Sequence, residues 1–151
     1  MGSKPAHILL IEDDEIDAES MRRALKKLKI NSPLTHVKKG IEALEFLRAD
    51  GARYHEKSPY LIVLDINMPT MNGFEFLEEL RRDDNHKNAI VFVLSTSNAE
   101  RDKIRAYKDS VEGYLLKSIA GKGFMDVVEM LEQYWRFVNL SSRSALPNSM
   151  A

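Results

Sequence analysis

The stretch Tyr60-Leu61-Ile62-Val63-Leu64 is followed at once by Asp65, and shortly afterwards by the turn residues Met68-Pro69. Five consecutive apolar residues rich in Ile, Leu and Val are typical of a strand that is buried on both faces. The run is too short for an ordinary helix, and its β-branched residues also favour a strand. Asp65 is therefore predicted to stand at the carboxyl end of a central strand.

Working outward, four more apolar runs have the length of strands, and amphipathic patterns separate them. The other strand-like runs are Ala6–Ile11, Leu34–Val37, Ala89–Leu94 and Gly113–Leu116. The helical patterns are Asp14–Ile30, Gly40–Arg48, Asn72–Arg82, a segment that begins at the capping box Ser97 and Glu100, and Gly121–Val138. This alternation predicts an α/β fold, a doubly wound (βα)5 unit with one parallel five-stranded sheet and helices on both faces.

Length and composition bound the function classes. A chain of 151 residues predicts one domain, which we place at residues 1–138, followed by a Ser-rich tail at 139–151 that is flexible or associated with a dimer. Lys and Arg number 22 against 23 Asp and Glu, a balance that argues against a general nucleic-acid binder. The sequence has no cysteine and no apolar run of about 18 residues, so we expect no membrane span and a cytoplasmic location.

Polar residues follow the strand-like runs at the edge where parallel sheets bind ligands. They are Glu12, Asp13 and Asp14 after the first run, Asp65 after the third, Ser95 and Thr96 after the fourth, and Lys117 after the fifth. Converging carboxylates repel one another unless a cation joins them, and oxygen ligands suit Mg²⁺. Such a site suits a phosphoryl group, with a carboxylate as its acceptor. Asp14 is interpreted as a helix N-cap.

Four segments carry a resemblance to a known family. They are Ile8–Asp14, Leu64–Gly73, Val93–Thr96 and Gly113–Lys117. Over about residues 6–138 the chain resembles the receiver domain of bacterial two-component response regulators, which have a flavodoxin-like fold. Within that family, the chain more closely resembles small single-domain regulators of phytochrome-type and related hybrid histidine kinases, which share its Lys117-Ser118 and Tyr134-Trp135 pairs.

The resemblance implies a phosphoacceptor signalling protein rather than an enzyme. Asp65 would accept a phosphoryl group from the phosphohistidine of a histidine kinase. Mg²⁺ would be bound by Asp13, Asp65 and the backbone carbonyl of Asn67, with Glu12 acting partly through a metal-bound water.

The same resemblance implies roles for four further residues. Lys117 and Ser95 would contact the phosphoryl group, Thr96 would limit water access, and Ser95 with Tyr114 would form the switch. The family commonly has proline after this lysine, often with a cis bond, whereas this chain has Ser118. A cis bond before a non-proline residue costs about 3–4 kcal/mol, so we expect either a trans bond with a rearranged loop or a strained cis bond.

Two surfaces suggest partners. The first helix carries a basic cluster, which is either a solvated face or part of a kinase-docking face: Arg22, Arg23, Lys26, Lys27 and Lys29. Met130 and Phe137 widen the apolar arc of the last helix, which indicates either a broad core helix or a homodimer through the last two helices. Output would pass to a downstream phosphotransfer or target protein.

Two other functions stay open at this point. A phosphatase of the haloacid dehalogenase type needs Asp-x-Asp, but Asn67 occupies the second acidic position. A receiver-like module that binds without phosphorylation is a second alternative, against which Asp65 and Lys117 argue. The four histidines show no ligand spacing and are predicted to lie at the surface or in loops: His7, His36, His55 and His86.

Overall fold

The computed structural model describes residues 7–49, 60–66, 73–95, 105, 108, 111–116, 124–125 and 127–136. The strands are β1 His7–Ile11, β2 Leu34–Val37, β3 Tyr60–Asp65, β4 Ile90–Ser95 and β5 Gly113–Leu116. The helices are α1 Glu15–Lys27, α2 Gly40–Ala49, α3 Gly73–Arg82 and α4, which spans residues 127–136. Arg105 and Lys108, between β4 and β5, are also helical.

All five strands pair in parallel, in the order β2-β1-β3-β4-β5. The predicted strands are confirmed to within one residue at each end. Every residue of β3 is buried, because this strand lies at the centre of the sheet and both of its faces are covered. The predicted doubly wound, flavodoxin-like arrangement is confirmed.

Alternate strand residues divide the core between the two faces of the sheet. On β1, for example, Leu9 and Ile11 pack toward α2 and α3, whereas Ile8 and Leu10 pack toward α1 and α4. Side chains alternate in this way because successive Cβ atoms of a strand point to opposite faces. Both faces are therefore covered, and the strand ends are the part of the sheet left for chemistry.

Both ends of α1 are capped. Asp14 accepts hydrogen bonds from the amides of Ile16 (2.8 Å) and Asp17 (3.2 Å), so its predicted role as an N-cap is confirmed. At the other end, the Ile30 amide donates to the Leu25 carbonyl and the Lys29 amide to the Lys26 carbonyl. This is a Schellman motif, in which Lys29 takes the left-handed conformation (φ 57°) that glycine usually supplies.

The apolar pattern of the predicted helical segments includes two residues that the structure does not bury. Ile16 is 77% exposed and Ile41 is 53% exposed, so counting both toward the apolar helix faces is wrong. In α1 the buried positions include Ala18 and Leu25, and at 3.6 residues per turn Ile16 points away from that stripe. In α2 the buried stripe passes through Gly40, one residue before Ile41.

The expectation that the histidines lie at the surface or in loops is wrong for His7 and His36, which are half-buried within β1 and β2. His86 lies in the turn after α3, as expected, although it is only 2% exposed. His55 lies outside the described residues. Within the described ranges, none of the helices has the length and hydropathy that a bilayer crossing requires.

Candidate functional site

The carboxyl ends of β1, β3 and β4 bring polar residues to one edge of the sheet. Ile11 on β1 pairs with Leu64 on β3, so Glu12 follows β1 at the level of Asp65. Asp65 in turn pairs with Leu94 on β4, the residue before Ser95. The predicted gathering of strand-end residues is therefore confirmed for Glu12, Asp65 and Ser95.

Three carboxylates meet at this edge. One oxygen from each of Glu12, Asp13 and Asp65 lies within 4.8 Å of the others. Glu12 (0% exposed) and Asp65 (3% exposed) are buried, whereas Asp13 is exposed and faces the solvent side of the cluster. Carboxylates at this separation favour a bound cation, which offsets their mutual repulsion.

The donor set fits a hard divalent cation. Carboxylate oxygens are the ligands that Mg²⁺ prefers, and it usually keeps several waters when one or two carboxylates hold it. The exposed position of Asp13 leaves the solvent side of the cluster open to such waters. The residues present therefore fit the magnesium site that the sequence predicts.

The backbone around Glu12 is fixed by hydrogen bonds from two directions. Its amide donates to the Val37 carbonyl (3.0 Å), and its carbonyl oxygen is 2.7 Å from Nε2 of His36. Its side-chain Oε2 accepts a hydrogen bond from the Asp14 amide at 3.2 Å. Glu12 and Asp14 are thus linked by a hydrogen bond within the turn. The carboxylate of Asp14 itself caps α1, and Asp14 is not among the three clustered acids.

His36 is the residue near this site that the sequence did not indicate. It lies on β2 opposite Leu10, and its ring reaches the Glu12 carbonyl across 24 residues of chain. Nothing in the sequence around His36 signals that contact, because it depends on β2 lying beside β1. Only a predicted pairing of β2 with β1, which would place His36 near the end of β1, could have indicated it.

Backbone hydrogen bonds fix the chain at the end of β3 and again at the start of α3. The Ile66 amide donates to the Leu94 carbonyl (3.2 Å), and the Gly73 amide donates to the Ile66 carbonyl (3.1 Å). A Cβ on Gly73 would lie 2.5 Å from Cα of Ile66, which is closer than real contacts allow. Glycine at this position lets α3 begin directly against the residue that follows Asp65.

Ser95 and Tyr114 lie on neighbouring strands. Ser95 is fully buried at the end of β4 and pairs with Leu116 of β5, the residue before Lys117. Tyr114 is half-buried and packs against the core face that α2 and α3 cover. The predicted site residues Asn67, Thr96 and Lys117, together with the Lys117-Ser118 bond, lie outside the described residues.

Comparison with known proteins decides the family. The family described as the response regulator receiver domain matches residues 8–129. This chain belongs to that family. The match supports neither the haloacid dehalogenase type of phosphatase nor a receiver-like module that works without phosphorylation.

The chain is similar to two response regulators, Rcp1 and RcpA. It is 35% identical to the response regulator Rcp1 of Synechocystis sp., covering 89% of this chain and 91% of Rcp1. The crystal structure of the Mn²⁺-bound form of Rcp1 matches it with a TM-score of 0.72, over 87% of this chain and 94% of that one. The phosphorylated cyanobacterial phytochrome response regulator RcpA matches with 32% identity, a TM-score of 0.74 and the same coverage.

Proposed function

We propose that this receiver accepts a phosphoryl group on Asp65 from the phosphohistidine of a histidine kinase, in a reaction that requires Mg²⁺. The observation that carries the proposal is the cluster of Asp65, Glu12 and Asp13, whose oxygens lie within 4.8 Å of one another at the ligand-binding edge of the sheet. Support also comes from RcpA, a similar protein whose structure is of the phosphorylated form.

Asp65 is suited to be the acceptor because it is fixed and shielded. It is the last residue of β3, 3% exposed, so its carboxylate is held by a buried strand rather than by a mobile loop. One carboxylate oxygen attacks phosphorus as the bond from phosphorus to the histidine nitrogen breaks, and the imidazole leaves with a proton. Such transfers depend on position and charge rather than on a base.

The other acids prepare the site. Glu12 and Asp13 would hold Mg²⁺ together with Asp65 and the backbone carbonyl of Asn67. Charge neutralisation at the phosphoryl oxygens is what Mg²⁺ supplies when bound there. Rcp1, which has been crystallised with Mn²⁺, supports a divalent cation in a similar protein.

The remaining roles complete the proposal. Lys117 and Ser95 contact the phosphoryl group, Thr96 limits the access of water, and Tyr114 moves with Ser95. The pairing of Ser95 with Leu116 supports this arrangement, since it brings the end of β4 beside the strand that leads to Lys117. A local change of charge at Asp65 would then shift the packing around Ser95 and Tyr114.

The partner we propose is a phytochrome-type histidine kinase. The support is the similarity to RcpA, which is a cyanobacterial phytochrome response regulator. We also propose that residues 1–138 form the receiver and 139–151 a C-terminal segment, and that output passes by protein contact or by phosphorelay. A cytoplasmic location stays a prediction.

We further propose that the chain forms a homodimer through its last two helices. The support is Met130 on α4, an apolar side chain that is 36% exposed and so available for contact with a second copy. Replacing Met130 with Glu should shift a concentration-dependent dimer to monomer in light scattering, whereas Gln133→Glu, at an exposed position of the same helix, should not. A parent chain that is monomeric at every concentration would refute the dimer.

Phosphorylation is tested by incubating the whole chain with a small phosphodonor, with and without Mg²⁺, and measuring its intact mass. The parent should gain one phosphoryl group only when Mg²⁺ is present. Asp65→Asn should gain none, whereas Asp14→Asn, which keeps the helix cap, should be labelled like the parent. Equal labelling of Asp65→Asn would overturn the assignment.

A further inference from the structure

The turn between β1 and α1 carries two of the three clustered carboxylates, those of Glu12 and Asp13. The two residues are neighbours, so the peptide bond that joins them sets the positions from which both side chains extend. The carbonyl oxygen of that peptide bond belongs to Glu12 and lies 2.7 Å from Nε2 of His36 on β2. A carbonyl oxygen can only accept a hydrogen bond, so Nε2 carries a hydrogen and donates it.

The hydrogen bonds between β1 and β2 explain why a side chain takes this place. In a parallel pair, a residue donates to one carbonyl of the neighbouring strand and accepts from the amide two residues further on. The Glu12 amide donates to the Val37 carbonyl (3.0 Å), so the regular donor to the Glu12 carbonyl is the amide of Lys39. That amide donates instead to Oε1 of Glu42 at 3.1 Å.

The Lys39 amide is diverted because α2 begins at this point. The Ala43 amide donates to the Lys39 carbonyl, which makes Lys39 the N-cap of α2 and Glu42 its third helical residue. A glutamate at that position reaches back to the N-cap amide, as in a capping box, and here it also accepts from the Lys38 amide. The start of α2 thus takes up the backbone donor, and His36 supplies one from its ring.

We propose that His36 is a positioning residue of the cation site. By donating to the Glu12 carbonyl, it fixes the peptide bond between Glu12 and Asp13 and so holds both carboxylates for Mg²⁺. His36 is not among the clustered ligand atoms, so it acts through the backbone rather than by binding the cation. This inference rests on the Mg²⁺ site proposed above.

The exposed acid depends most on this hydrogen bond. Glu12 is also held through its amide and its side chain, whereas Asp13 is exposed and lies in a bend outside the strands. Mg²⁺ demands nearly ideal octahedral geometry at about 2.0–2.1 Å, while Ca²⁺ accepts irregular sets of oxygens at about 2.3–2.6 Å. A looser peptide bond before Asp13 should therefore weaken the binding of Mg²⁺ more than that of Ca²⁺.

Isothermal titration calorimetry of the full chain with Mg²⁺ and with Ca²⁺ tests this role. His36→Phe keeps a ring without an N–H donor and should weaken Mg²⁺ binding about tenfold, as loss of a group behind a metal ligand commonly does. Its Ca²⁺ affinity should fall by about threefold at most. His36→Gln keeps an N–H donor and should bind Mg²⁺ like the parent. His36→Leu, which also lacks a donor, should behave like His36→Phe and replaces it if that variant does not fold.

Thr35 provides the matched control on the same strand. It lies opposite Leu9, and its hydroxyl oxygen is 2.7 Å from Nε2 of His7, so Thr35→Val removes another side-chain hydrogen bond between β1 and β2. Because this bond does not reach the turn after β1, both cation affinities should stay at the parent values. An equal loss of Mg²⁺ affinity in Thr35→Val and His36→Phe would show that only the general stability of β2 matters, and would overturn the proposal.

Phosphorylation by a small phosphodonor gives a second readout. His36→Phe should raise the Mg²⁺ concentration that gives half the maximal rate about tenfold, with the maximal rate unchanged once the site is filled. Equal Mg²⁺ affinities of the parent and His36→Phe, in a parent that is phosphorylated on Asp65, would overturn the role of His36 alone. A parent that is phosphorylated equally with and without Mg²⁺ would overturn the proposed function, and the role of His36 with it.

Discussion

Asp65 on β3 pairs in register with Leu94 on β4, and the Ile66 amide after Asp65 donates to the Leu94 carbonyl at 3.2 Å. The backbone next to the proposed acceptor is therefore hydrogen-bonded to the residue that precedes the buried Ser95. A displacement of the backbone at Asp65 on phosphorylation would therefore be transmitted directly to the end of β4.

Replacing Asp13 should weaken the binding of Mg²⁺ without affecting the cap of α1. In the absence of divalent cations, Asp13→Asn should raise the free energy of unfolding by about 0.5–1 kcal/mol, because it relieves repulsion among the three carboxylates. Added Mg²⁺ should stabilise the parent by mass action and the variant much less. Urea unfolding with and without Mg²⁺ measures both effects.

The neighbouring acid provides the control. Asp14→Asn keeps a side chain that can cap α1 and should retain the full gain from Mg²⁺. Asp14→Ala should lose about 1 kcal/mol of stability, with the gain from Mg²⁺ preserved. Loss of the Mg²⁺ effect in Asp14→Asn would contradict the assignment of Asp14 to the cap alone.

Gly73→Ala should destabilise the fold. The new Cβ would stand 2.5 Å from Cα of Ile66, a backbone atom that cannot move without disturbing the residue next to Asp65. We expect a loss of about 1–3 kcal/mol in urea unfolding, together with slower phosphorylation. Alanine normally favours a helix over glycine by about 1 kcal/mol, so a stability equal to or above that of the parent would show that the close contact is not real.

Lys29→Gly should stabilise the protein. Lys29 occupies the left-handed position of the Schellman motif at φ 57°, where glycine carries no steric penalty. We expect a gain of about 1 kcal/mol in the free energy of unfolding. Lys27→Gly, in the last turn of α1, should instead cost about as much as glycine usually costs in a helix. A loss of stability in Lys29→Gly would contradict the strain at this loop.

Asp83 should contribute a pH-dependent part of the stability. Burial favours its neutral form, but the Asn85 amide (3.0 Å), the His86 ring (3.4 Å) and Arg48 (3.3 Å) outweigh burial and lower its pKa. A carboxylate with a lowered pKa stabilises the fold above its unfolded pKa, near 4, and this contribution is lost as the pH falls through the folded value.

Asp83→Asn should therefore be less stable than the parent by about 1 kcal/mol at pH 7. The difference should shrink as the pH is lowered below about 4, where both states of the parent become protonated. Asp84→Asn is the matched control, because Asp84 is almost fully exposed in the same turn. A difference between the parent and Asp83→Asn that is constant with pH would contradict the role of the charge.

The sequence predicts this fold well where burial determines the pattern. β3 and β4 are continuous apolar runs because both faces of the sheet are covered, and their ends mark Asp65 and Ser95 without further information. The contact of His36 with Glu12 was missed because it joins two strands that are distant in the chain. The burial of His86 was not predicted either. The left-handed conformation of Lys29 was missed because glycine, the residue that usually indicates such a position, is absent there.

The central claim is that Asp65 is the phosphoryl acceptor, and the most direct test is to locate the acyl phosphate. Borohydride reduces an aspartyl phosphate to a homoserine side chain, which peptide mass analysis assigns to one position. After incubation with a small phosphodonor and Mg²⁺, we predict conversion of Asp65 alone, with Glu12 and Asp13 unchanged. Conversion of another acid, or none in a chain that has gained phosphate, would contradict this account.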